Sequence, residues 1–268
     1  MDRRNFLKTG GIALLGSLAT GSAMALTTPG ALGGEGADKK AAVALAMNHF
    51  GVSEADLKKV LAAALEQGGD YADLFFEHTI SNSIRLMDGA VNNSYSNIDY
   101  GVGVRVLTGD QSGYAYVENI TVEDMLKAAR TAARIASANK GNKPLNLTEK
   151  ELKKNYYTVA SPWEEVSLKD KMPYLQKLND RIFALDKRVH KVQASQSDTT
   201  SHIFFCNSEG VMFYDYRPMV TLGAVCIMEE DGKTENGYAA RAYRRGFDFL
   251  SDEVVDVIAR EAVDQTSL

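Results

Sequence analysis

Residues 188–243 consist almost entirely of strand-like runs separated by turns of two or three residues, and that spacing leaves few folds open. The runs are 188–197, 200–207, 211–217, 219–229 and 234–243, with turn signals at Ser197-Asp198, Ser208-Glu209-Gly210 and Asp231-Gly232. Parallel neighbours need crossovers of a dozen or more residues, so short turns predict an antiparallel meander. An earlier stretch repeats the theme. Tyr71–Glu77 reads as a strand, and Ser83–Met87 runs into the hairpin signal Asp88-Gly89. Tyr100–Leu107 alternates, with Val102, Val104 and Val106 on one face and Gly101, Gly103 and Arg105 on the other. Gly109-Asp110 then turns the chain into Gly113–Val117.

Helices flank both strand blocks. Residues 39–49 and 53–66 carry helical periodicity, with Ser53 as N-cap and Gly68-Gly69 as terminator. Thr121 starts a helix to about Ala138, and Ser167 with Asp170 starts another to Leu185, with Pro173 early in it. Ser251 opens a last helix whose apolar stripe includes Val254, Val255, Ile258, Ala262 and Val263. The order predicts an α+β chain of two consecutive domains, each with helices packed on a mainly antiparallel sheet. The first spans 39–140, the second 141–250 after a polar connector at Lys140–Pro144, and 251–268 begins a further region. No helix-ending glycine precedes Leu268 and no later element covers the stripe. The expectation is a chain that continues in a longer form, with residues 254–263 left exposed and prone to self-association.

The N-terminus is of another kind. Arg3-Arg4 is followed by Phe6-Leu7-Lys8, a weakly apolar stretch from Gly10 to Ser22, and the small-x-small site Ala23-Met24-Ala25. Basic, apolar, then small is the layout of a twin-arginine export signal over residues 1–25. It predicts delivery to a periplasm, with a Gly/Pro/Thr-rich linker over 26–38. The apolar stretch is too short and too rich in Gly, Ser and Thr to span a bilayer comfortably, and the mature chain has no membrane-length run. The whole chain carries a formal net charge of −5. Cleavage removes two more positive charges than negative ones, so the mature chain is more acidic still. Without a basic block, nucleic acid is not an expected partner. Two cysteines make no disulfide framework; in an exported chain Cys206 and Cys226 could pair with each other, but both lie in apolar strand runs, which favours buried free thiols.

The chemistry-bearing residues form no complete site. His49, His78, His190 and His202 show no spacing that places two ligands on one helix face, and each reads as a surface or hydrogen-bonded histidine. His202 and Cys206 share a strand face, but four residues span ~13 Å at strand rise, too far for one metal ion. Gly101-Val102-Gly103 lacks the third glycine and the following helix of a dinucleotide site. Its glycines read as a bare strand face that a backbone or aromatic ring can approach. Tyr95, Tyr100, Tyr114 and Tyr116 read as cross-strand packing.

Several segments together resemble the TldD/PmbA family. In the first block these are Gly69–Glu77, Asn97–Arg105, Ser112–Tyr116 and the helix Ala128–Arg134. In the second they are Asn207-Ser208-Glu209-Gly210, Asp215–Pro218 and Asp231-Gly232. The resemblance covers roughly residues 50–264 in order and implies an N-terminal and a central domain of that family. It further implies a zinc metallopeptidase acting on unfolded or small peptides, in a homo- or hetero-oligomer with a homologous subunit. The family's metal motif, a His-Glu-x-x-x-His helix plus a cysteine, has no counterpart here, so no catalytic or metal-binding residue is assigned and no cofactor is expected within this chain. The family positions Gly101, Gly103, Arg105, Asn207, Glu209 and Gly210 are expected to be structural or to line a peptide approach. A non-catalytic peptide-binding or assembly subunit is the alternative.

Overall fold

The computed structural model describes residues 39–136, 148–149 and 159–266. The export signal over 1–25, the linker over 26–38 and the connector at Lys140–Pro144 lie outside the described residues. Five helices and seven strands follow in the order α1 (Lys39–Phe50), α2 (Glu54–Leu65), β1 (Tyr71–Met87), β2 (Ala90–Thr108), β3 (Gln111–Val117), α3 (Val122–Ile135), β4 (Thr148–Glu149), α4 (Leu168–Leu185), β5 (Val189–Asn207), β6 (Val211–Glu230), β7 (Lys233–Tyr243) and α5 (Asp252–Thr266). The α+β class and the mainly antiparallel pairing are as the sequence predicts. The helix starts follow capping chemistry. Ser53 and Asp56 form a reciprocal capping box, and the Thr121 side chain accepts from the Asp124 amide.

The strands of both blocks belong to one sheet, ordered β3-β2-β1-β5-β6-β4 with β7 also on β6. Only the short β4–β6 pairing is parallel. The seam between blocks is a continuous antiparallel ladder of β1 with β5, from Asp73↔Asn207 to Met87↔Gln193. Three expected breaks are therefore absent. Residues 71–77 and 83–87 are one strand, β5 runs straight through Ser197-Asp198, and β6 runs through Pro218. A polar Ser-Asp pair signals a turn only where its side chains are solvated. Here Asp198 is 1% exposed and fully occupied by partners within the fold. Pro218 lies on the part of β6 that β7 does not pair, where a missing N–H costs least.

The helices and the apolar cores stay grouped by block. One cluster joins α1, α2 and α3 to Ala72, Leu74, Phe76, Val102, Val104, Val106, Phe204 and Cys206. The other joins α4 and α5 to Ile84, Leu86, Val192, Ala194, Val220, Leu222, Ala224 and Cys226. All of these strand residues are even-numbered and in register, so both helical groups sit on the same face of the sheet. Neither cluster contains an odd-numbered residue of β1. Cys206 and Cys226 are free and buried, one in each cluster.

The stripe of α5 is not left exposed, contrary to the sequence expectation. Val255, Ile258, Ala259, Ala262 and Val263 are buried against β6, β7 and α4. Contact with β7 is close enough that a Cβ on Gly237 would stand 2.6 Å from the Ala262 carbonyl oxygen. The stripe is satisfied within the chain, and the self-association predicted from it loses its physical basis.

Candidate functional site

Between the two apolar clusters the covered face turns polar. Along β1 the sequence passes from Phe76 through His78, Ile80 and Asn82 to Ile84, and β5 passes from Phe204 through His202, Thr200 and Asp198 to Gln196. Pairing places His78 opposite His202, and His202 opposite Tyr216. The last turn of α1 lowers His49 onto this row. Its ring stacks on His202 with centroids 4.8 Å apart and on His78 at 5.0 Å, and its Nε2 lies 2.8 Å from His78 Nδ1. His202 Nδ1 is 2.7 Å from the Tyr214 hydroxyl and Nε2 is 3.0 Å from Glu164 Oε1. A carboxylate only accepts, so a neutral His202 donates through Nε2 and accepts from Tyr214. Tyr216 donates to Glu164 Oε2 at 2.9 Å, completing the row.

Like charges crowd this row. Burial first, then the neighbouring His202 and His78, pull His49 down to about 4. His78 is lowered for the same reasons, burial ahead of His202. Burial alone would raise Glu164, but the hydrogen bonds from His202, the backbone and Tyr216 outweigh it and hold it below the usual carboxylate range. Burial, then the Glu164 charge, pushes Tyr214 and Tyr216 well above a free phenol. These groups make a row of hydrogen-bonded imidazoles and phenols around one carboxylate, without a serine or cysteine nucleophile.

Next to it, Asp198 anchors a second network. Its Oδ2 accepts from Lys171 Nζ at 2.5 Å and Gln196 Nε2 at 2.9 Å, and its Oδ1 accepts from Asn82 Nδ2 at 2.9 Å. The lysine and aspartate side chains are 4% and 1% exposed. Lys171 also lies over the Trp163 ring, 5.3 Å from its centroid. α4 therefore docks on the sheet through a buried ion pair as well as through Leu175, Leu178 and Ile182.

The opposite face carries the glycines singled out in the sequence. A Cβ on Gly103 would meet the Tyr114 hydroxyl at 2.5 Å, and one on Gly101 the Val117 carbonyl oxygen at 2.5 Å. An aromatic ring covers one glycine and backbone the other. Around them lies an open groove of about 480 Å³, bordered by Phe75, Glu77, Asp99, Tyr100, Tyr114, Tyr116 and Glu118 among others. Tyr114 and Tyr116 stay 58% and 65% exposed, so they frame the groove more than they fill a core. Tyr100 packs across the strands on His78, and Tyr95 is exposed. Arg105 gives both Nε and Nη2 to Asp73 Oδ2, at 2.9 and 2.6 Å, and lies 6.0 Å from the Tyr71 ring centroid.

Asn207, Glu209 and Gly210 form the β5–β6 turn, away from the groove. Asn207 Oδ1 accepts from the Glu209 and Val211 amides, Gly210 takes φ +88°, and Glu209 points outward. Asn207 also donates to the Tyr71 hydroxyl at 3.3 Å. The structure thus gathers Gly101 and Gly103 at one groove, sets Arg105 beside it, and gives the other three to a turn. The histidine row leaves no local signature in the sequence, because its members come from α1, β1 and β5. Only the Ile80 and Thr200 periodicity could have hinted that His78 and His202 face inward.

Among the described residues no group of three or more His, Cys, Asp or Glu side chains is placed to hold a metal ion. Both ring nitrogens of His202 are committed, His49 is bonded to His78, and burial raises both thiols. The donor set does not fit zinc.

A helix-backed, one-sided antiparallel sheet with two core groups is the class of protein defined here. Residues 72–136 match the PmbA/TldA metallopeptidase domain 1, and residues 161–268 match the PmbA/TldA metallopeptidase central domain. Together these cover more than half of the chain, which belongs to the PmbA/TldD family through both domains. A metalloprotease TldD homologue of Haemophilus influenzae is 32% identical over 206 residues, covering 73% of this chain and 42% of that protein. Two solved structures share the fold. A candidate modulator of a DNA gyrase from Thermotoga maritima superposes with a TM-score of 0.62 at 20% identity, covering 80% of this chain and 48% of that one. TldE from Thermococcus kodakarensis gives 0.57 at 16% identity, covering 79% and 47%. The chain spans about two-fifths of the length of the curated relative and half that of the solved ones. No described helix is long and apolar enough to cross a membrane.

Proposed function

We propose that this chain is the peptide-holding front part of a TldD-like zinc metallopeptidase that degrades unfolded or small peptides, working with a homologous subunit. The metal and catalytic groups are assigned to protein outside the described residues, whose donor set does not fit zinc. The match of two consecutive family domains to a TldD homologue carries this reading. The sheet adds a physical basis. Ala90–Tyr100 of β2 is exposed throughout and, among the described strands, pairs on one side only. An open strand edge binds extended backbone through main-chain hydrogen bonds, as a peptidase for unfolded chains requires. The Arg3-Arg4 signal supports export by the twin-arginine route into a periplasm.

The test combines zinc analysis with cleavage of casein peptides by the isolated chain. Peptide binding with neither hydrolysis nor stoichiometric zinc is expected. About one zinc per chain together with hydrolysis would overturn the assignment of catalysis to other residues. Export is checked by replacing Arg3 and Arg4 with lysine, which should leave the precursor in the cytoplasm.

A further inference from the structure

We propose that the groove beside Gly101 and Gly103 selects a cationic side chain, arginine or lysine, on an extended peptide. The inference rests on the peptide-holding reading above and adds a charge preference to it. Three carboxylates border the groove, Glu77, Asp99 and Glu118, and no lysine, arginine or histidine does. Glu77 accepts from Thr79 and Asp99 from Asn97, both neutral donors, and no ion pair among the described residues uses any of the three. Tyr114 and Tyr116 supply aromatic surface within the same groove.

The chain already contains the complement of this arrangement. Two residues along β2 from Gly103, on the same strand face, the Arg105 guanidinium is held by the Asp73 carboxylate and lies beside the Tyr71 ring. A carboxylate and a tyrosine therefore suffice to seat a guanidinium on this face. The groove repeats that pair of chemistries without a cation of its own. Carboxylates next to aromatic faces attract a cation twice, by charge and by the ring quadrupole. The bare strand at Gly101 and Gly103 keeps the groove floor low, so a bound backbone can approach while its side chain reaches the rim.

Fluorescence anisotropy on the 268-residue chain tests this with three labelled hexapeptides that alternate alanine with arginine, serine or glutamate. At about 50 mM salt the arginine peptide should bind about tenfold tighter than the serine peptide, with the glutamate peptide weakest, and about 0.5 M salt should erase the difference. The double variant Asp99→Asn, Glu118→Gln should bring the arginine and serine peptides within about twofold of each other. Tyr116→Ala, at a largely exposed ring that supports no core, should weaken the arginine peptide independently. Equal affinity for all three peptides would sink the charge preference and leave peptide holding intact. A preference that survives the double variant would also overturn it, by placing the cation elsewhere. Failure to bind any peptide would remove both readings.

Discussion

His49 keeps more than a third of its surface in solvent while its ring lies against His78 and His202, and this makes stability depend on pH. In the fold it protonates only near pH 4, whereas in an unfolded chain it does so near 6.5. Between these values the unfolded state holds more protons, so stability is full above about pH 6.5 and declines as pH falls towards 4. Solvent screening limits the effect to the order of 1 kcal/mol. Urea midpoints at pH 7 and pH 5 should show this decline, and His49→Gln should flatten it. Glu164 acts lower. Its folded pKa is depressed, so its contribution is present above about pH 4.5 and is lost only in stronger acid. A steeper slope in His49→Gln would contradict the account. Gly113 is a second single-residue constraint. A Cβ there would lie 2.0 Å from the Ala132 carbonyl oxygen, so α3 backbone must move, and Gly113→Ala should cost about 2–3 kcal/mol by thermal melting. Gly103→Ala meets only the movable Tyr114 ring and should cost less.

At the scale of elements, β5 shows how a strand carries charge through a core. Lys171 reaches down from α4 to Asp198, in the stretch whose sequence reads as a turn. Lys171→Met should cost about 3–5 kcal/mol in urea denaturation, because it leaves a buried carboxylate without its cation. A loss below 1 kcal/mol would show that Asn82 and Gln196 alone satisfy it. The turns at Asp88-Gly89, Ser208-Glu209-Gly210 and Asp231-Gly232 were legible because they combine glycine at positive φ with polar neighbours. The false turn at Ser197-Asp198 has no glycine. Its partners stand far off in sequence, at Asn82 and Lys171, and local composition carries no trace of them. The capping at Ser53 and Thr121 was readable for the opposite reason, since cap and partner lie three residues apart.

Across the described residues, two apolar clusters lie on one face of one sheet, joined by the fifteen paired positions of the β1–β5 ladder. Neither cluster can lose its strands without disrupting the other's, so a single cooperative transition is expected. Leu61→Ala in one cluster and Leu178→Ala in the other should each cost about 2–5 kcal/mol and lower the same calorimetric peak. Two peaks, each sensitive to only one variant, would show that the clusters unfold separately. Both described helical groups lie on that face, and the groove with Gly101 and Gly103 lies on the other.

The sequence by itself determined the α+β class, the antiparallel pairing and the helix starts, and its motifs carried the family. Each of these depends on periodicity or on partners within a few residues. The tertiary structure alone decided that two blocks share one sheet, that α5 covers its own stripe, that three histidines converge and that both described helical groups pack on the same face. Those outcomes rest on contacts between residues well separated in sequence, such as His49 with His78, 29 positions apart, or Ala72 with Ser208, 136 apart. A side chain's local pattern fixes which face it takes, but only the completed sheet fixes what it meets there.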